Sequence, residues 1–327
     1  MTTATCIPRL ISPAVHPQAF AQQLSSALSE VGCAYVPAAQ LTDNQNLLRT
    51  LETFFTLSLR EKHLLAQQFP PAWQGVFTAL GEEQLANSQE DHKETLDLNL
   101  ASSTYARWVE RRRAVRSHPP LSSKPANCPN PTSLLASDLT NKATGDLAVE
   151  LAIEPIRTSL CQTFEAFQRE ANQVLMAIEA AYQRPAGSLV RQHGRNSTLR
   201  LLHYPPAPHF TLGSIRLGAH RDYSGITLLW QDSTGGLEIL TPSGEWVAVD
   251  IPSGHIGVLV GEVTQRWSGN TLHSAPHRVR VANLEQLKQT RYSIAFFCET
   301  NPDCVVYPGS LLGKSGFRTS AGANPVV

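Results

Sequence analysis

The sequence has no run of about 18 apolar residues, so nothing in it is expected to span a membrane. It has no excess of either charge, with 27 Lys plus Arg against 27 Asp plus Glu. That balance removes the electrostatic footprint of a dedicated nucleic-acid binder. It has no CxxC spacing: Cys6, Cys33, Cys128, Cys161, Cys298 and Cys304 are scattered. They read as reduced thiols of a cytosolic protein, with neither a zinc knuckle nor a disulfide framework. Met1 to Leu10 lack the features of a secretory leader, so a cytoplasmic location is expected. No internal repeat is evident, which argues against a propeller or solenoid. Charged residues are scarce at 17%, while hydrophobic residues reach 42%, a composition that folds. A chain of 327 residues is long enough for one large domain or two modest ones.

What is present changes character midway. The first half carries mostly helical patterns. Phe20, Leu24 and Leu28 recur at helical spacing until Gly32, and a short strand-like run follows from Cys33 to Val36. A second helix is predicted from Asp43 as N-cap, burying Leu47, Leu51, Phe54 and Phe55. Ser117 to Gly145 reads as a long surface loop, with a helix beginning near Pro155. Its stripe is Leu160, Phe164, Phe167, Ala171, Val174 and Ile178. The basic run from Arg107 to Arg116 reads as a solvated face.

After Gly194, eight short strand candidates are separated by turn residues: 199–204, 215–220, 226–230, 237–240, 246–249, 257–260, 279–281 and 292–297. That spacing predicts a two-sheet jelly roll or barrel. The expected layout is a helix-rich region over 1–190, a β-core over 191–300 and a tail over 301–327.

The chemistry-bearing residues lie in the β-core. His220 and Asp222 are two apart, so on one strand they would share a face. His277 on a later strand could complete a set of two imidazoles and one carboxylate. Such a facial set leaves coordination positions open and suits non-haem Fe(II) handling O₂. Two such ligands and an acid could also serve a hydrolytic zinc ion. Arg291 and Ser293 again share a face, forming a fork plus hydroxyl suited to a carboxylate. His220-Arg221-Asp222 also spells the start of a kinase catalytic loop, but Thr227 stands where its Asn is needed and no Gly-rich phosphate loop is present. His203, His209, His255 and His273 read as structural or surface histidines, and Phe296 and Phe297 as core. Tyr223, Trp230 and Trp267 are candidates to line a pocket.

In order along the chain these pieces have a familiar arrangement. Glu30 to Val36, Phe54-Phe55, Lys93 to Asp97, Leu199 to Pro206, Gly218 to Tyr223, Gly235-Gly236-Leu237, Gly261-Glu262, His277-Arg278-Val279 and Arg291-Tyr292-Ser293 run nearly end to end. The chain resembles the Fe(II)/2-oxoglutarate-dependent dioxygenases, in the branch similar to isopenicillin N synthase. The resemblance implies a double-stranded β-helix core preceded by a helix-rich region. It implies His220, Asp222 and His277 as iron ligands, and Arg291 and Ser293 on the far carboxylate of 2-oxoglutarate. Tyr204 matches a tyrosine that hydrogen-bonds the same cosubstrate. Two positions depart from the family pattern: Arg221 stands where Thr is usual, with its side chain expected opposite the ligands, and Leu202 where Asn is frequent.

The implied activity is oxidation of a small organic molecule, by hydroxylation or desaturation, with O₂ consumed and 2-oxoglutarate converted to succinate and CO₂. The alternatives are an iron oxidase that does not use 2-oxoglutarate, and a non-catalytic jelly-roll binding module. A monomer without nucleic-acid or membrane partners is expected.

Overall fold

The computed structural model describes residues 6–38, 41, 44–82, 91–101 and 136–312. Among them, strands β1 (Cys33–Pro37), β2 (Trp73–Thr78) and β3 (Glu94–Leu100) precede β4 (Thr198–Tyr204), β5 (Ile215–His220) and β6 (Ile226–Gln231). There follow β7 (Leu237–Leu240), β8 (Trp246–Ala248), β9 (His255–Val260), β10 (His277–Arg280) and β11 (Arg291–Cys298). They form a seven-stranded sheet in the order β1-β9-β6-β11-β4-β3-β2 and a four-stranded sheet in the order β5-β10-β7-β8. The fold is mainly β with flanking helices, a jelly roll preceded by a helix-rich segment.

The helices are α1 (Pro17–Glu30), α2 (Asn44–Thr56), α3 (Leu59–Gln67), α4 (Ala136–Ala181) and α5 (Glu262–Trp267). α1 buries Phe20, Leu24 and Leu28, and stops at Gly32, whose φ of +79° favours glycine and whose missing Cβ leaves room for the His273 carbonyl. α3 begins with a capping box, in which the Glu61 amide donates to Ser58 Oγ at 3.3 Å and the Ser58 amide to Glu61 Oε2 at 2.8 Å. α2 buries Leu47, Leu51, Phe54 and Phe55. Its expected N-cap Asp43 lies outside the described residues, as does the basic run Arg107 to Arg116.

Two differences from the sequence reading concern α4. Residues 117–135 of the expected loop lie outside the described residues, while 136–145 are helical. The helix also runs through Pro155 rather than starting there. Proline costs an interior helix one hydrogen bond. Packing holds the turn around it: Ile153 is fully buried, and Arg157 donates to the Gln68 carbonyl at 2.8 Å and to Glu154 at 2.6 Å.

A third difference is that the first half contributes two strands, β2 and β3, to the larger sheet beyond the expected β1. β3 carries a strand signal: Leu96 and Leu98 alternate with Thr95, Asp97 and Asn99. Asp97 and Asn99 are buried with partners on β4, Arg200 forking onto Asp97 at 2.7 Å through both oxygens and Thr198 donating to Asn99 Oδ1 at 2.5 Å.

Period-two alternation then sorts the larger sheet into two faces. Leu199 and Leu201 on β4, Ile226 and Leu228 on β6, and Ile294 and Phe296 on β11 pack towards the helices. Phe296 meets Phe164 and Phe167 of α4 with ring centroids 5.1 and 5.8 Å apart. The opposite faces turn towards the four-stranded sheet, where Leu202 and Tyr204 join Leu217, Leu237, Ile239 and Val279 in a second core. A cavity opens beside that second core.

Candidate active site

The cavity encloses about 190 Å³ and takes one face from each of three adjacent strands. β4 supplies Arg200, Leu202 and Tyr204; β11 supplies Arg291, Ser293, Ala295 and Phe297; β6 supplies Thr227, Leu229 and Gln231. The smaller sheet supplies His220 and His277, which pair across β5 and β10. Asp222 sits beyond the end of β5 rather than on it, so the expectation of one shared strand is corrected. A turn brings its carboxylate back. The Glu262 amide donates to the Asp222 carbonyl at 2.8 Å, and Gly261 at the start of α5 leaves space for the Ser224 carbonyl that any Cβ would strike.

The three side chains meet. One ligand atom from each of His220, Asp222 and His277 lies within 4.8 Å of the others. Asp222 Oδ1 is 3.8 Å from His220 Nε2 and 3.5 Å from His277 Nε2, and the imidazole centroids are 4.2 Å apart. His220 Nδ1 lies 2.9 Å from the Gly218 carbonyl, and His277 Nδ1 lies 3.3 Å from that of Ala275. A carbonyl can only accept, so Nδ1 carries the proton and the Nε2 lone pair of each ring turns inward. Asp222 is buried, and its Oδ2 has no hydrogen-bond partner. A buried carboxylate oxygen without a partner is costly unless a cation takes its charge. Burial, and then the facing His277, push the His220 imidazole below its ordinary value, favouring the neutral form that ligates a metal. The donor set therefore fits a divalent ion with an open coordination side.

Arg291 stands at the other end of the cavity and is buried. Its Nη1 donates to Ser293 Oγ at 3.0 Å, Nη2 to Gln231 Oε1 at 3.0 Å and Nε to the Gly235 carbonyl at 2.9 Å. Its guanidinium carbon lies 4.8 Å from the Tyr204 ring centroid. Burial raises the Tyr204 phenol above its ordinary value, keeping it a proton donor. The Gly235-Gly236 turn and Gln231, together with Ser293, thus hold the guanidinium in one orientation.

Several wall residues are not singled out as site residues in the sequence reading. Lys93 is buried and pairs with buried Asp91 at 3.0 Å, and Arg200 pairs with Asp97. Gln231 lies one residue past the strand expected over 226–230, which extends to include it. Phe297 is corrected from core to cavity wall, and the Arg200 guanidinium lies 5.7 Å over its ring. Tyr223 and Trp230 line the cavity; Trp267 does not, packing instead against His193 at 5.5 Å. His203 is structural, its Nδ1 2.7 Å from Glu94. Leu202 occupies its cavity position without a polar group; Arg221, expected on the side opposite the ligands, is corrected to the cavity wall, where it reaches the Ser274 carbonyl.

The chain is similar to known proteins in sequence and in fold. A family model described as the 2OG-Fe(II) oxygenase superfamily matches residues 195–300, and one described as the non-haem dioxygenase in morphine synthesis N-terminal matches 8–120. The chain is 29% identical over 304 residues to a proline hydroxylase, buaE, of Petromyces alliaceus, covering 88% of this chain and 84% of the relative. It is 43% identical over 125 residues to a 2-oxoglutarate-Fe(II) type oxidoreductase of Aspergillus fumigatus, covering 38% of this chain and 36% of that one. The match to a 2-oxoglutarate-dependent dioxygenase, htyE, of Aspergillus rugulosus spans 44% of that relative's length. Among solved structures, the dioxygenase for auxin oxidation of rice superposes with a TM-score of 0.63 at 21% identity, over 94% of this chain and 87% of the other. The chain belongs to the Fe(II)/2-oxoglutarate-dependent oxygenases, oxidoreductases that work with iron, 2-oxoglutarate and O₂.

Proposed function

We propose that His220, Asp222 and His277 hold Fe(II), and that Arg291, Ser293 and Tyr204 hold 2-oxoglutarate while a small organic molecule is hydroxylated or desaturated. The observation that carries this reading is the placement of an inward-facing two-imidazole, one-carboxylate set and a buried, pre-oriented Arg–Ser pair in one cavity. The bound iron supplies the activation of O₂ coupled to decarboxylation of the cosubstrate to succinate and CO₂.

The chain's own residues bind and orient. The backbone carbonyls of Gly218 and Ala275 fix the ring tautomers, so each Nε2 is presented without a proton. Arg291 receives the far carboxylate in a fork already set by Gln231 and Gly235, so little rotamer freedom is lost on binding. Tyr204 packs beneath that fork and offers a hydroxyl to the same carboxylate. Leu202, Leu217, Leu229 and Val279 exclude water from the middle of the cavity. The relatives whose names carry 2-oxoglutarate favour this reading over an oxidase that does without it. The relative named as a proline hydroxylase supports a substrate of amino-acid size. The chain is read as a cytoplasmic monomer without nucleic-acid or membrane partners.

The test is succinate release from 2-oxoglutarate, measured with and without iron and O₂. The reading predicts release that needs both and is lost in His220→Ala while the circular dichroism and melting temperature persist. Undiminished release in that variant contradicts the ligand assignment.

A further inference from the structure

The cavity wall contains four cationic side chains, Lys93, Arg200, Arg221 and Arg291. Three are already occupied. Lys93 pairs with Asp91 at 3.0 Å, Arg200 forks onto Asp97 at 2.7 Å, and Arg291 is set in its cradle for the cosubstrate. Arg221 differs. Its Nη1 donates to the Ser274 carbonyl, which carries no charge, and no carboxylate pairs with it among the described residues. It is exposed beside Tyr223, itself 54% exposed, so both stand on the open rim of the cavity. Chain connectivity places it between the two ligand positions His220 and Asp222.

Charge balance gives that position a meaning. With iron and 2-oxoglutarate bound, the two positive charges of Fe(II) and that of Arg291 cancel the single charge of Asp222 and the two of the cosubstrate. The Arg221 charge remains over, at the entrance through which a substrate passes. An uncompensated cation at the mouth of a cleft draws anions and pairs with them once water is displaced.

We propose, resting on the oxygenase reading above, that Arg221 is a specificity-determining residue that binds a carboxylate of the primary substrate at the cavity rim. The Ser274 carbonyl holds one arm of the guanidinium, leaving its remaining N–H groups to receive the acid. The side chain acts on substrate choice and takes no part in the chemical step.

The experiment uses the full chain loaded anaerobically with Fe(II) and 2-oxoglutarate, with calorimetric titration of matched acid and amide probes. These are L-proline against L-prolinamide, 3-phenylpropanoate against 3-phenylpropanamide, and pyrrole-2-carboxylate against its amide. The proposal predicts that at least one acid binds about ten-fold to a hundred-fold more tightly than its amide, the range of a charge-assisted hydrogen bond. Arg221→Gln should abolish that preference and Arg221→Lys should keep part of it, with 2-oxoglutarate affinity unchanged in both. An acid preference that survives Arg221→Gln, or no pair in which the acid outbinds the amide, overturns the proposal. Failure of 2-oxoglutarate to bind the unaltered protein would instead overturn the cosubstrate reading on which it rests. A melting temperature lowered in Arg221→Gln with the preference intact would show that Arg221 only ties down the Ser274 backbone.

Discussion

Arg291 and Tyr204 stand directly opposite each other where β11 pairs with β4, and the guanidinium carbon of one lies 4.8 Å from the ring centroid of the other. A cation over an aromatic face is attracted to it, and here the ring is fully buried, so the attraction is little screened. The ring and Gln231 together fix a fork that would otherwise have to be ordered on binding.

This pairing separates the two roles of Tyr204. Tyr204→Phe keeps the ring beneath Arg291 and removes one hydroxyl, so 2-oxoglutarate affinity should fall about five-fold, as for one hydrogen bond. Tyr204→Leu removes the ring as well and should cost about ten-fold further. Calorimetric titration checks the order; equal losses in both variants would contradict it.

The unpartnered Asp222 Oδ2 predicts a metal-dependent stability. A divalent ion present at about a hundred times its Kd should stabilise the fold by about 2.7 kcal/mol through mass action. Manganese added to the chelator-treated protein should therefore raise its melting temperature, and Asp222→Asn should remove most of the rise. A rise of the same size in that variant would place the ion elsewhere.

Neighbouring phenylalanines on β11 should differ because alternation sends them to opposite faces. Phe296 is fully buried against Phe164 and Phe167, so Phe296→Ala should cost about 3–5 kcal/mol in urea unfolding. Phe297 is half-buried in the cavity wall, so Phe297→Ala should cost less than about 2 kcal/mol. Equal costs would mean the faces are wrongly assigned.

Glu94 links the helical segment to the sheet, accepting from Lys62 at 2.9 Å and lying 2.7 Å from His203 Nδ1. Burial alone would raise this carboxyl, but the hydrogen bonds from His203 and Lys62 outweigh it and hold it below its ordinary value of 4.5. A carboxyl whose folded value is depressed contributes stability that is complete above the unfolded value and fades as pH drops through the folded one. Stability should therefore decline below about pH 4.5, and Glu94→Gln should flatten that decline. An acid limb unchanged in the variant would contradict the assignment.

The eight strands after Gly194 are legible in the sequence through turn residues and β-branched or aromatic runs, and each is present within a few residues. His277, Arg291 and Ser293 reach the cavity because period-two alternation fixes their faces. Other features depend on tertiary context. β3 alternates apolar and polar residues in the sequence, but the burial of Asp97 and Asn99 depends on Arg200 and Thr198 of β4, which β3 itself does not record. The start of α4 is not where local preference puts it, at a first-turn proline, because burial of Ile153 carries the helix through Pro155. Asp222 reaches the triad through a turn fixed from α5, a long-range restraint that residue spacing does not record.

The functional reading stands on one cavity holding both a ferrous ion and 2-oxoglutarate, the latter by way of Arg291. Anaerobic titration of the Fe(II)-loaded protein with 2-oxoglutarate, followed by visible absorption, reports on both at once. A saturable charge-transfer band is expected, and it should vanish in Arg291→Ala and in His277→Ala. A band that persists in Arg291→Ala at the same cosubstrate concentration, or no band in the unaltered protein, would refute the shared site.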